Sequence, residues 1–284
     1  MTRYSAIALV LLATSPADAA EKTVERTFTV SPGGSLIVDA DSASVRVAGG
    51  TANHVTVRMT ARGSEEDLAS MKFDAFQKDD GVTVTMRRGK EGWFKWRSWN
   101  GEGHIDVLLP ERFAIRVRTA GGSVKLTDII GVVSLHTPGG AIVTKNVSGN
   151  VEARTSGGGI TMDTIRGEVD ASTSGGDIRL SNIDGKIRGQ TSGGNVHCSL
   201  VGSNRGISAS TSGGSIQLTL PRSITANIEA TTSGGEFNSE LPVAMTRQQG
   251  GHVKGSINGG GQRIDVSTSG GGISLRAANG TVAR

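Results

Sequence analysis

An all-β fold, a single-stranded parallel β-solenoid (β-helix) with 18-residue coils and an irregular N-terminal cap, is predicted by three features of this sequence. Thr-x-Gly-Gly blocks start at Thr119, Thr137, Thr155, Thr173 and Thr191, each 18 residues after the last. Aliphatic residues hold fixed columns within that repeat. Glycine supplies 42 of 284 residues, well above ordinary usage and without the Gly-X-Y period of collagen.

The chain opens with a basic residue, Arg3, followed by the apolar run Ala6 to Ala13 and the small-residue pair Ala17 and Ala19. That is the layout of a secretory signal with cleavage after Ala19, and the apolar run is shorter than the ~20 residues a membrane-spanning helix needs. Residues 1–19 are therefore expected to be a signal peptide, and the mature chain to be periplasmic or secreted without a transmembrane anchor. The lone Cys198 excludes an internal disulfide; its place in a core column predicts that it packs as a small hydrophobe.

Residues 20–118 are expected to form irregular first coils and a cap. Strands are predicted at Val24–Val30, Leu36–Val38, Val45–Val47, Val55–Thr60, Val82–Arg87 and Ile105–Leu109, without the strict period. Ser64 to Met71 reads as one short helix with Ser64 as its N-cap. A solenoid end exposes unpaired strand edges, which must be covered.

Residues 119–284 carry the regular-to-irregular solenoid repeats. Five residues after each Thr stand Val124, Ile142, Ile160, Ile178 and Val196; ten after stand Ile129, Val147, Ile165, Ile183 and Val201. Apolar and polar residues alternate within each half repeat, the period of a half-buried strand. The Gly-Gly pairs are expected to supply positive-φ corners. A coil buries about five aliphatic side chains at ~1.5–3 kcal/mol each, against ~1–2 kcal/mol of backbone entropy per ordered residue. One coil alone loses that balance, so the coils must stack. After Thr191 the blocks recur at the looser positions Thr211, Thr232 and Thr268.

The Thr-Ser-Gly-Gly-x-(Ile/Val)-x-(Leu/Met) repeats, with the lead-in Leu109-Pro110 and Ile115 to Thr119, resemble the bacterial "putative adhesin" β-strand-repeat family, a domain of unknown function. The resemblance covers roughly Val38 to Leu275. It implies a β-helical exported or surface domain and carries no catalytic residues.

Several chemistries find no pattern here. Calcium-binding β-rolls need an aspartate in every turn, whereas the residue after Gly-Gly runs Ser123, Ala141, Gly159, Asp177, Asn195. The opening threonines continue the inward alternation, which predicts a hydroxyl ladder beside the turn and not an ice-binding face. The histidines His54, His104, His136, His197 and His252 lack zinc spacing. Glu152 and Asp170 stack, but their next neighbour is Arg188. No enzyme, cofactor or metal is expected.

One segment differs from the rest. Arg87 to Trp99 holds all three tryptophans and a charge of +4, equal to the formal net charge of the whole chain. Trp93, Phe94, Lys95, Trp96, Arg97 and Trp99 are the candidate ligand-binding residues. Rings interleaved with cations suit stacked sugars, membrane headgroups or single strands of nucleic acid; export disfavours nucleic acid. The plain alternative is a hairpin whose tryptophans cover the solenoid end. The expected function is a non-enzymatic, adhesin-like binding or scaffold protein of the envelope, its partner a glycan or anionic envelope polymer. A polysaccharide lyase-like enzyme and an envelope-stress signalling partner are the alternatives.

Overall fold

The computed structural model describes residues 9–13, 20–89 and 101–278. They form two compact units, Met1–Ala141 and Ile142–Arg284. Both are built from strands, with a single helix, Glu65–Ser70, among the described residues.

In the first unit each coil gives one strand to each of two sheets. Ser35–Ala40 pairs in parallel with Gly81–Arg88 on one side and Ala114–Thr119 on the other. In the opposite sheet Ser44–Gly50 lies between Glu102–Pro110 and Val124–Ile130. The coil of residues 35–50 is therefore inserted between two coils that follow it in sequence.

The outer strands of this unit are antiparallel, a departure from a purely parallel winding. Ala20–Thr29 pairs with His54–Gly63, which pairs with Glu102–Pro110. Met71–Lys78, a strand that the sequence pattern did not predict, pairs with Gly81–Arg88. Leu9–Ala13 lies antiparallel on the edge of Ala20–Thr29. The helix begins as its sequence predicts: Ser64 Oγ accepts from the Asp67 amide at 3.2 Å, and acids fill the first turn, where the helix dipole favours them. Leu68 is buried. Lys22 Nζ donates to the Leu68 and Met71 carbonyls at 3.3 and 2.9 Å, satisfying the helix's C-terminal end.

In the second unit the columns stack in register. Ile142 pairs with Ile160, Ile160 with Ile178 and Ile178 with Val196; Ile165 lies beside Ile183. All of these side chains are buried. Between the buried pairs Met162/Ile165 and Leu180/Ile183 the strand carries one extra residue, so two side chains in succession leave the core. The second of the two takes a left-handed conformation: Asn146 (φ 54), Thr164 (φ 58) and Asn182 (φ 55). Such bulges suit asparagine and strain threonine, which is β-branched. The strand Val196–Leu200 has no such bulge. Leu200 consequently takes the core place opposite Ile183, and the predicted core residue Val201 is 40% exposed.

The opening threonines form the expected ladder. Thr191 Oγ1 donates to the carbonyl of Gly176 in the preceding coil at 2.9 Å and accepts from the Gly194 amide of its own turn at 3.3 Å. Thr211 repeats this with Gly194 and Gly214. The glycines, however, act otherwise than predicted. None of the paired glycines in these blocks has a positive φ. What they provide is clearance: a Cβ on Gly194 would lie 2.1 Å from the Gly176 carbonyl oxygen, because successive turns stack backbone on backbone.

The same ladder reports the order of the last coils. Thr268 donates to Gly214 O and Thr232 donates to Gly271 O, both at 2.7 Å. Strand pairing agrees. Arg263–Thr268 lies between Ile207–Thr211 and Ala226–Thr232, and Ile273–Ala277 between Ile216–Leu220 and Phe237–Ser239. The final coil is thus tucked inside the one that precedes it in sequence. Beyond Ala226–Thr232 the sheet continues with the antiparallel strands His252–Ile257 and Ala244–Gln249.

Candidate functional site

This tucked order places charged side chains together on the outer face of the second unit. In Ala226–Thr232 the alternate residues Ala226, Ile228, Ala230 and Thr232 are buried, which turns Asn227, Glu229 and Thr231 outward. Pairing sets Lys254 opposite Glu229 on one side and Asp265 opposite it on the other; Ser256 and Arg263 flank Asn227.

Glu229 is the centre of the cluster. Its carboxylate receives Lys254 Nζ at 2.9 Å and Arg263 Nη2 at 2.6 Å, with His252 Nε2 at 3.7 Å. Arg263 also reaches Asp265 at 2.9 Å, and Thr231 Oγ1 is 2.9 Å from His252 Nδ1. The hydrogen bond from Lys254 holds the Glu229 carboxyl below its ordinary pKa, and the charges of Lys254, Arg263 and His252 act in the same direction. A carboxylate so held stays ionised near neutrality. It suits hydrogen-bond acceptance better than proton transfer, which works best with a pKa near the operating pH.

Beside this cluster lies a concavity of about 360 Å³, lined by Asn227, Glu229, Thr246, Lys254, Ser256 and Arg263 among others. Its outer wall belongs to Ala244–Gln249, a strand with every residue exposed and a register shift between Met245 and Arg247. The same outward row continues across the sheet. Glu152, Asp170 and Arg188 are successive register partners, as are Ser208, Asp265, Glu229, Lys254 and Arg247. Arg188 pairs with Ser208, so the row is unbroken over eight strands.

The predicted binding residues Trp93, Phe94, Lys95, Trp96, Arg97 and Trp99 lie outside the described residues. Their segment joins Gly81–Arg88 in one sheet to Glu102–Pro110 in the other. The equivalent connections, Ala40 to Ser44 and Thr119 to Val124, are far shorter in sequence. Part of the segment's positive charge is already spent. Arg87 pairs with Asp39, and Arg88 with Asp67 at 3.4 Å.

Other singled-out groups serve the fold. Asp177 accepts from the Asn195 amide at 2.9 Å and from Arg179 at 3.0 Å; that amide bond, joined by the Arg179 charge, holds its pKa low. Cys198 lies in the core between Leu180 and Leu218, and burial pushes its thiol up to about 12. Among the described residues no group of three or more His, Cys, Asp or Glu is placed to hold a metal ion. No described helix is long and apolar enough to cross a membrane.

The Glu229 cluster was not singled out from the sequence, because its members lie far apart along the chain. The one signal was spacing: the step from Thr232 to Thr268 is twice the repeat length, which marks inserted strands.

Comparison with solved structures gives the fold a precedent. A "putative adhesin" from Bacteroides fragilis superposes with a TM-score of 0.54 at 13% identity, covering 89% of this chain and 97% of that one. A "putative adhesin" and a "putative lipid binding protein," both from Parabacteroides distasonis, align over 89% of this chain at 11% identity, with TM-scores of 0.38 and 0.31. They cover 97% and 96% of those chains. No curated protein is similar to this chain in sequence. The family model described as Toastrack DUF4097 matches residues 34–276, and with the solenoid-like parallel sheets this establishes that the chain belongs to the Toastrack family, a family of domains of unknown function.

Proposed function

We propose that this protein is an exported, non-enzymatic, adhesin-like binding or scaffold protein of the bacterial envelope, and that its ligand is a glycan or anionic envelope polymer. The observation that carries this reading is the straight outward row of charged and polar side chains from Glu152 to Arg247, fixed by strand register on one sheet face. Neighbouring strands lie about 4.8 Å apart, so the row offers evenly spaced groups to an extended, repeating ligand. The tryptophan segment is the proposed second contact, with Trp93, Phe94, Trp96 and Trp99 for sugar rings and Lys95 and Arg97 for acidic groups.

The organisation that fits this role has residues 1–19 as the export signal and residues 20–118 as irregular coils and cap. Residues 119–284 carry the regular-to-irregular solenoid repeats. The antiparallel strands His54–Gly63 and Met71–Lys78 support the cap reading, since they pair with edges of the parallel strands that would otherwise be open to other chains.

The test is co-sedimentation of the purified mature protein with peptidoglycan and with acidic polysaccharides, together with an assay for new reducing or unsaturated ends. The expected result is binding without cleavage, weakened when Trp93, Trp96 and Trp99 are replaced by Ala. Failure to bind any envelope polymer, or cleavage that persists in chelator, contradicts the proposal.

A further inference from the structure

The concavity beside Glu229 has a chemical character of its own. Of its lining, Lys254 and Arg263 bring two cations and Glu229 one carboxylate, leaving one positive charge in excess. Glu229 holds Lys254 and Arg263 by ion pairs, so both cations are positioned in advance. Each has further N–H donors beyond those bonds, since an ammonium has three and a guanidinium five.

Uncharged hydrogen-bonding side chains complete the lining. Ser256 lies opposite Asn227, and Thr246 stands in the outer strand. Asn227 Nδ2 donates to the Gly261 carbonyl at 2.7 Å, which fixes the amide's orientation. The volume, about 360 Å³, is at the small end of the ~300–1,000 Å³ range of ligand sites.

Fixed cations, an ionised acceptor carboxylate and neutral hydroxyl and amide groups select among anions. Sulfate carries no hydroxyl donor for Glu229 and hydrogen phosphate at most two, so the carboxylate disfavours either anion. A carboxylated sugar carries both kinds of group: its carboxylate meets Arg263 and Lys254, and its hydroxyls donate to Glu229 and exchange hydrogen bonds with Ser256, Thr246 and Asn227.

We infer that this concavity, between the strand Arg263–Thr268 and the hairpin Ala244–Ile257, is a subsite for one uronic-acid residue of an acidic polysaccharide. The inference rests on the glycan-binding reading for its ligand class, but it adds a site remote in sequence from the tryptophan segment.

The experiment is isothermal titration of the mature protein with a uronic-acid trisaccharide and with its carboxyl-reduced, neutral counterpart. The trisaccharide is expected to bind saturably, and carboxyl reduction to weaken it by about tenfold or more. Arg263→Gln and Lys254→Gln should each lower the affinity by a similar factor. Their side chains are 63% and 45% exposed, so both variants are expected to fold, as thermal melts will check. The variant with Trp93, Trp96 and Trp99 replaced by Ala should keep its affinity for the trisaccharide.

Absence of saturable binding, equal affinity for the neutral sugar, or unchanged affinity in both variants overturns the subsite. So does displacement by inorganic phosphate at equal concentration, which would make the site one for any anion. If the subsite fails while the wild-type protein still sediments with acidic polysaccharide, the broader binding proposal stands without it.

Discussion

Replacing Thr191 by Val tests what stitches the coils together. The two side chains have nearly the same shape, and Thr191 is only 7% exposed, so the substitution removes a hydroxyl with little change in packing. That hydroxyl donates to Gly176 O at 2.9 Å and accepts from Gly194 N at 3.3 Å. Valine would leave both backbone groups without this partner. An unsatisfied buried donor or acceptor costs ~1–3 kcal/mol. The shorter bond should count near the middle of that range and the longer one near its foot, for a total of about 2–3 kcal/mol. For a chain of this size each kcal/mol shifts the melting midpoint by about 2–4 °C, so a fall of roughly 5–10 °C is expected. The assay is paired urea and thermal unfolding followed by circular dichroism, with the exposed Thr161→Val as control. A Thr191→Val protein within about 0.5 kcal/mol of wild type, the usual range for a neutral surface change, refutes the claim that the ladder stabilises the stack.

Two further outcomes follow from single side chains. Thr164 is a β-branched residue at φ 58, where the equivalent residues of neighbouring coils are Asn146 and Asn182. Thr164→Asn should therefore stabilise the protein by about 1 kcal/mol, measured by urea unfolding. Cys198 is a neutral thiol whose pKa burial raises from 9.0 to about 12. Its contribution is fully present below about pH 9 and is lost as pH rises toward 12, because the unfolded chain releases the proton first. The loss approaches ~1.4 kcal/mol per pH unit within that window, and a Cys198→Ala variant should lack this part of the alkaline slope.

The sequence made the middle coils readable because every level of structure there repeats together. Ile142, Ile160 and Ile178 share a column, their strands share a register, and their threonines share a hydrogen-bond pattern. The reading failed at Val201, where the bulge seen at Asn182 is absent; a missing single residue in a strand leaves no mark on composition. It failed for the paired glycines as well. A glycine needed for clearance and a glycine needed for positive φ are identical as letters, and only the 2.1 Å approach to Gly176 separates them. The inserted coil 35–50 and the tucked final coil were hidden for another reason. Local pattern fixes which residues face inward, while the choice of neighbouring strand is made by whole edges meeting in three dimensions. The Glu229 cluster exists only through that choice, so it could not be read from sequence, whereas the tryptophan segment stood out by composition alone.

The order of the last coils carries the site, since it brings Arg263 and Lys254 to opposite sides of Glu229. Paired cysteines test it directly. Ser208 and Asp265 are register partners on adjacent strands, about 4.8 Å apart, within the ~4.4–6.8 Å Cα separation that a disulfide spans. Ser208 and Glu229 are separated by the intervening strand Arg263–Thr268, about twice that distance. Under mild oxidation the Ser208→Cys/Asp265→Cys protein should form an intramolecular disulfide, while Ser208→Cys/Glu229→Cys should not. The opposite result, with residue 208 bonding to 229 and not to 265, would mean that the coils stack in chain order and that the charged site does not assemble.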